Sequence, residues 1–337
     1  MSESDVMELL LDLIKKGNED VNEAFFIIES IFGDVITAIV TSLRGMFVAA
    51  ENHEYMIADF SAIEAVVLAW LAEEKWKVEA FNVINSGQKY NGSDDIYCAT
   101  ASKIFQKTVT KKEDKSERQV GKTCELAFGY QGGVGAWRNF DSSDTYTDEQ
   151  VDSFKNQWRD QHPEIVRLWR GINDAAINAV KNHGKVYSYK SIAYQTVVDN
   201  AGLWLTCILP NGRRLWYYDP KVTWQETPWG KKPSLQYQGR DNKKSGVWGI
   251  VRAYGGLLVE NIVQAISRDL MVQSIIRVEK AGYPVLLTVH DEIIAEVLKG
   301  YGSQEEFEHI MANPVPVWAQ GCPVGVDGYT AIRYRKG

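Results

Sequence analysis

Three short stretches of this 337-residue sequence carry residue types that could do chemistry together. Asp59 closes the apolar run Tyr55-Met56-Ile57-Ala58. An acid in that place is commonly a helix N-cap. His290-Asp291-Glu292 lies within PVLLTV-HD-EIIAEV, two apolar runs separated by two residues. A two-residue hairpin turn normally favours Asn-Gly or Asp-Gly, because its central residues take positive φ. Alone, His290-Asp291 reads as an ordinary exposed turn. The two acids gain force together. An apolar strand ending in Asp, beside an apolar hairpin presenting Asp, lets one sheet set two carboxylates side by side. Such a pair repels and raises its own pKa unless a cation sits between. Hard oxygen ligands favour Mg²⁺, with Mn²⁺ able to substitute. Two such ions make the arrangement for in-line phosphoryl transfer.

The third stretch is SERQVGKTCELAFGY, residues 116 to 130. Arg118, Lys122, Leu126 and Tyr130 recur every four residues, so a helix would put them on one face. Arg and Lys one turn apart form a charge clamp for a triphosphate. Tyr130 adds an aromatic plane for a base. Scattered Lys and Arg usually mean a solvated face, but Leu126 and Tyr130 on the same stripe argue against that here. Gly121-Lys122-Thr123 imitates the end of a phosphate-binding loop. Its first glycine would have to be residue 116, which is Ser116, and KKEDK before it is no strand.

The elements that must position these residues follow from periodicity. Residues 5 to 16 and roughly 21 to 43 are spaced as helices. A buried strand is expected at 55 to 58 and a helix directly after it. A loop is expected from 82 to 95, then helices to about 185. Residues 205 to 250 read as short strands and turns. A helix is expected over 256 to 281, then the hairpin. The boundaries drawn are an N-terminal helical segment 1–45, one domain from 46–75 and 200–337, and a helical one from 76–199.

Composition sets limits. The net charge is −7, so any DNA contact needs a local basic groove rather than a coated surface. Cys98, Cys124, Cys207 and Cys322 show no CxxC spacing, which argues for a reducing cytosol and against structural zinc. The apolar stretch 25 to 43 contains Glu29 and Asp34, a poor membrane span. Ser-Glu-Ser-Asp near the start lacks the positive charge of a signal peptide. The expected location is cytoplasmic.

In order, these stretches resemble the family A DNA polymerases, the relatives of bacterial DNA polymerase I. Asp59-Phe-Ser-Ala-Ile-Glu64 looks like the first palm motif, DYSQIE. Arg118, Lys122 and Tyr130 match the fingers-helix pattern RxxxK followed by Tyr, and His290-Asp291-Glu292 matches HDE. Asp95-Ile-Tyr-Cys-Ala-Thr-Ala, Ser42-Leu-Arg-Gly-Met-Phe-Val-Ala and Gln264 with Asp269 resemble flanking segments. GYQGG, YGG-x-LVEN and GY-x-A-x-RYRK are similar to phage members. The resemblance covers roughly residues 42 to 337.

It implies an α+β fold of right-hand polymerase architecture, with an antiparallel β-sheet palm and helical fingers. The implied activity is DNA-templated nucleotidyl transfer from dNTPs to a primer 3′-hydroxyl, for replication, in the host cytoplasm of a phage. By position, Asp59 and Asp291 would bind two Mg²⁺ ions and Glu292 would support them. Arg118 and Lys122 would hold the nucleotide phosphates, with Lys122 able to protonate the leaving pyrophosphate. Tyr130 would pack near the bases. Glu64 would exclude a 2′-hydroxyl, and Leu126 occupies the position that tunes dideoxynucleotide acceptance. His290 and Gln264 would touch primer-template DNA. The departures are Val66 and Leu257, where relatives carry Arg and Lys. Only 58 residues precede Asp59, too few for a thumb and exonuclease domain. The expectation is palm and fingers alone, working with a separate thumb- and exonuclease-bearing subunit in a split or truncated polymerase. The alternative is a catalytically impaired DNA-binding or assembly subunit of the same fold. A single-subunit RNA polymerase fits worse, because Glu64 should exclude ribose.

Overall fold

Residues 55 to 58 are 1–5% exposed and form the centre of strand β1 (His53–Phe60). The computed structural model describes residues 12–15, 21–143, 145–227, 230–241 and 246–335. Elements are numbered in chain order. The chain divides into two compact units, Met1–Phe60 with Ser274–Asn313 and Val326–Gly337, and Ser61–Gln273 with Pro314–Gly325.

In the first unit, β1 is flanked on both sides. With β8 (Val285–Val289), β9 (Glu292–Leu298) and β10 (Val326–Ala331) it makes an antiparallel sheet in the order β10-β1-β9-β8. A strand buried on both faces reads as a continuous apolar run, as residues 55 to 58 do here. Tyr55, Ile57, Ile294 and Tyr334 form one packed cluster on it. Helix α11 (Gln304–Ala312) packs on β1 and β10 through the fully buried Phe307 and Met311. The helical stretch expected over 21 to 43 is two helices, α1 (Val21–Phe32) and α2 (Val35–Ser42). Gly33 at φ 83° ends the first, and the Asp34 carboxylate accepts the Thr37 N–H at 2.6 Å to start the second. Of the helix expected at 5 to 16, residues 12–15 are helical and the rest lies outside the described residues.

The second unit begins with α3 (Ile63–Ala72) and α4 (Lys75–Asn85), which runs into the expected loop. Then come α5 (Ile96–Phe105), α6 (Lys115–Phe128), α7 (Val134–Phe140), α8 (Asp148–Gln161) and α9 (Pro163–Lys181). The region expected as short strands forms a larger object. Six strands, β2 (Tyr187–Tyr189), β3 (Ile192–Asp199), β4 (Gly202–Ile208), β5 (Arg214–Thr227), β6 (Gly230–Asp241) and β7 (Val247–Ala253), make one antiparallel meander. Helix α9 packs along it. Helix α10 (Gly255–Lys280) follows and continues from one unit into the other. The fold is mixed α and β with antiparallel sheets. Among the described residues, no helix is long and apolar enough to cross a membrane.

Candidate active site

The acidic group lies within the first unit. Asp59 sits opposite Glu292 across β9 and opposite Asp327 across β10. Directly paired residues point to the same side of a sheet, so the three carboxylates share a face. Asp291 joins them from the β8–β9 turn, where its carbonyl accepts the Phe60 N–H at 3.3 Å. His290 takes the left-handed conformation the turn requires, φ 55°. Asp59 caps no helix. Helix α3 starts four residues later with Ala62 at its N-cap.

This crowding has an electrostatic consequence. The Asp59 carboxyl is pushed up to about 6, first by lost solvation, then by Asp291, Glu292 and Asp327. Asp59 as a residue stays exposed, so desolvation is only partial and the acidic neighbours matter beside it. Tyr334 is pushed well up by burial and then by Glu292, although neither Tyr334 Oη nor Glu292 Oε1 completes a hydrogen bond of ordinary geometry. Among the described residues no three His, Cys, Asp or Glu side chains form a ready-made metal cage.

The basic stripe lies within the second unit. On α6, Val120, Gly121, Thr123, Cys124, Glu125, Ala127 and Phe128 are buried, while Arg118, Lys122 and Leu126 are not. The four-residue stripe therefore faces outward, as the spacing requires. Arg118 is engaged: its Nε donates to Asp95 at 2.7 Å, and its guanidinium lies over Tyr97. Asp95 also caps α5, accepting the Cys98 N–H at 2.8 Å. Gly121 permits this packing, since a Cβ there would sit 2.1 Å from the Tyr97 carbonyl oxygen. Helix α6 ends before Tyr130, which lies in the following turn. The Tyr130 hydroxyl donates to Glu64 at 2.9 Å, and burial, then Glu64, hold its pKa well up. A Cβ on Gly256 would meet the Tyr130 carbonyl oxygen at 2.1 Å, and the Gly256 N–H donates to Gln131 Oε1. That close approach accounts for Gly256, while a Cβ on Gly255 or Gly132 would meet the Trp169 or Ala127 carbonyl oxygen at 2.1 or 2.0 Å. Gln264 is exposed on α10, and Asp269 on the same helix binds Asn211 and Arg213. Val66 is fully buried, so in this chain that position faces the core of its unit rather than a ligand.

Residue spacing gave no sign of the network behind α6. Lys77 Nζ donates to Glu125 Oε2, with both side chains buried. Thr100 and Trp158 donate to Glu125 Oε1 at 2.7 and 3.2 Å. Burial alone would raise Glu125, but the Lys77 charge and hydrogen bond hold it below the ordinary value. His162 is pushed down to about 3 by burial and then Lys77, so it is neutral. Asp327 was equally hidden, because only strand pairing brings it to Asp59.

Residues 34–189 match the sequence pattern of DNA polymerase family A. A DNA polymerase of Bacillus phage SP02 is 37% identical over 334 residues, which is 96% of this chain and 47% of that relative. Over residues 34–189 the chain is similar to DNA polymerase family A. It spans about half the length of the phage relative. A solved structure is also similar: the POL domain of Pol1 from M. smegmatis, in complex with DNA primer-template and dNTP. That match has a TM-score of 0.55 and 19% identity, and covers 87% of this chain and 42% of the other. At that identity the likeness concerns the fold.

Proposed function

We propose that this chain is the palm and fingers part of a phage replicative DNA polymerase. It would join a primer 3′-hydroxyl to the α-phosphate of a dNTP, breaking the α–β phosphoanhydride and releasing pyrophosphate. The observation that carries this reading is Asp59 held among Asp291, Glu292 and Asp327, its carboxyl pushed up to about 6. Asp59 and Asp291 would hold two Mg²⁺ ions, supported by Glu292 and by Asp327. Bound there, the ions supply Lewis-acid activation of the hydroxyl and charge neutralisation on the phosphates. Lys122 and Arg118 would bind the triphosphate, with Arg118 first leaving Asp95. Lys122 would also donate a proton to the leaving pyrophosphate. Glu64, fixed by the Tyr130 hydroxyl, would crowd a ribose 2′-hydroxyl. His290 and Gln264 would contact the primer-template.

The boundaries proposed are palm at 46–75 and 200–337 and fingers at 76–199. The other functions of such a polymerase would come from thumb- and exonuclease-bearing polypeptide, continuous with this chain or separate. The apolar exposure of α1 and α2 supports that partner: Phe25, Phe26 and Ile36 are 50%, 70% and 71% exposed.

The test is extension of a short primer-template with Mg²⁺ and dNTPs, beside Asp291→Ala. Mn²⁺ and rNTP arms probe the ion and the sugar. Extension lost in the variant supports the reading. Extension equal in both proteins defeats it. DNA binding without turnover, even with the remaining half of a family A polymerase supplied, would favour the impaired assembly subunit.

A further inference from the structure

The six-stranded sheet has a face that nothing above uses. Its alternate residues Tyr194, Leu205, Cys207, Tyr217 and Leu235 are buried. The intervening positions point the other way. There Trp204, Tyr218, Gln238 and Ile250 lie in one row across β4 to β7. Two residues along the strands, Arg240 pairs directly with Trp248, and Trp216 follows Tyr218 on the same face of β5. On the other side of the first row, Lys221 and Arg252 both pair with Gln236. Trp216, Trp248 and Ile250 are 50%, 60% and 63% exposed. Trp204 packs against Trp216 and Tyr218 with ring centroids 6.0 and 4.9 Å apart, so the aromatic surface is continuous.

The charge of this face runs against that of the chain. Arg214, Lys221, Arg240 and Arg252 lie on it, and the carboxylates Asp219 and Asp199 are already engaged. Asp219 is taken up by Lys221 and Gln238, and Asp199 accepts the Trp204 indole N–H and two backbone N–H groups. Arg240 and Arg252 have no ion-pair partner among the described residues. The chain as a whole carries −7.

We propose that this face binds single-stranded DNA without sequence preference, stacking bases on Trp216 and Trp248 and holding phosphates with Arg240, Arg252 and Lys221. Exposed indoles beside guanidinium groups are the elements of a stacking platform for unpaired bases. A duplex keeps its bases stacked on each other and offers no free plane. A second copy of the chain would meet the same cations and repel, so charge favours the polyanion. The inference stands on the sheet alone and does not need the polymerase reading.

The experiment is fluorescence anisotropy of fluorescein-labelled oligo(dT), about 20 nucleotides long to span a binding site. It uses the full chain without dNTPs or Mg²⁺, across a NaCl series. The double variant Trp216→Ala/Trp248→Ala is expected to bind about tenfold or more weakly, and Trp216→Phe/Trp248→Phe to keep most of the affinity. Arg240→Glu is expected to weaken binding and flatten its salt dependence. Circular dichroism shows that each variant is folded, and Arg240→Glu carries the test if the double variant is not. Unchanged affinity in folded variants overturns the proposal. So does a wild-type dimer, seen by sedimentation, that becomes monomeric in the double variant while DNA affinity stays the same. Oligonucleotide binding that survives in a chain unable to extend a primer would count against the polymerase reading and leave this one standing.

Discussion

Asp59 illustrates how a residue suited to bind a cation is unsuited to lack one. Three acids surround it, and its carboxyl sits at about 6. Without metal at neutral pH, ionised Asp59 repels its neighbours. Asp59→Asn keeps the shape and removes the charge. We expect this variant to melt at a higher temperature than wild type in EDTA while losing primer extension. A lower midpoint would mean that the repulsion is not felt. Tyr130 and Glu64 make a second residue-level test. Their hydrogen bond at 2.9 Å joins the turn after α6 to α3. A denaturation cycle of Tyr130→Phe and Glu64→Ala should give a coupling of about 1 kcal/mol. Additive single effects would deny the bond any stabilising role. Loss of discrimination against rNTPs in Tyr130→Phe would tie it to sugar selection.

At the scale of elements, the outer stripe of α6 depends on what lies behind it. Lys77 comes from α4, Thr100 from α5 and Trp158 from α8, and all converge on Glu125 of α6. A buried pair like this contributes little net stability over a well-packed apolar pair, yet breaking it is costly. Lys77→Met strands a buried carboxylate and should cost about 3–5 kcal/mol in urea unfolding. Pairing it with Glu125→Gln, which neutralises the stranded charge, should recover part of that loss. If the double variant were worse than Lys77→Met alone, the network would not be electrostatic. The β8–β9 hairpin makes the matching point in the first unit. Its turn needs a left-handed residue, and His290 supplies it at φ 55° despite its Cβ.

At the scale of the whole chain, pH and salt report on different features. His162 is neutral in the fold, with its pKa down at about 3, and becomes protonated on unfolding below roughly its ordinary value. The unfolded state then holds the extra proton. Stability from this group is complete above about 6.5 and falls as pH drops toward 3. His162→Gln should flatten the acid limb of the midpoint-versus-pH curve, and an unaltered limb would assign acid unfolding to other groups. Salt reads the overall charge of −7. We expect the chain alone to bind primer-template weakly at physiological salt and to dissociate after few additions. Tight, processive binding by this chain alone would contradict that.

The sequence by itself determined the strand that carries Asp59, the hairpin that presents Asp291 and the stripe of Arg118, Lys122 and Leu126 on α6. Each is a local pattern, written by period-two or four-residue spacing within a few turns of chain. The break at Gly33-Asp34 was legible in principle, because glycine followed by a capping acid is a stop and a start. Tertiary structure alone decided the rest. Asp327 reaches Asp59 because β10 pairs with β1 across 268 positions of sequence, and no local spacing encodes that register. Glu125 looked like one more helix acid until Lys77 and His162 were folded against it. The long strands β5 and β6 hid in a stretch rich in Gly, Pro and Lys, because their ladder hydrogen bonds, not their propensities, hold them extended. Pairing between distant segments is a property of the closed chain, and it placed the fourth acid, the buried lysine and the exposed tryptophans where they are.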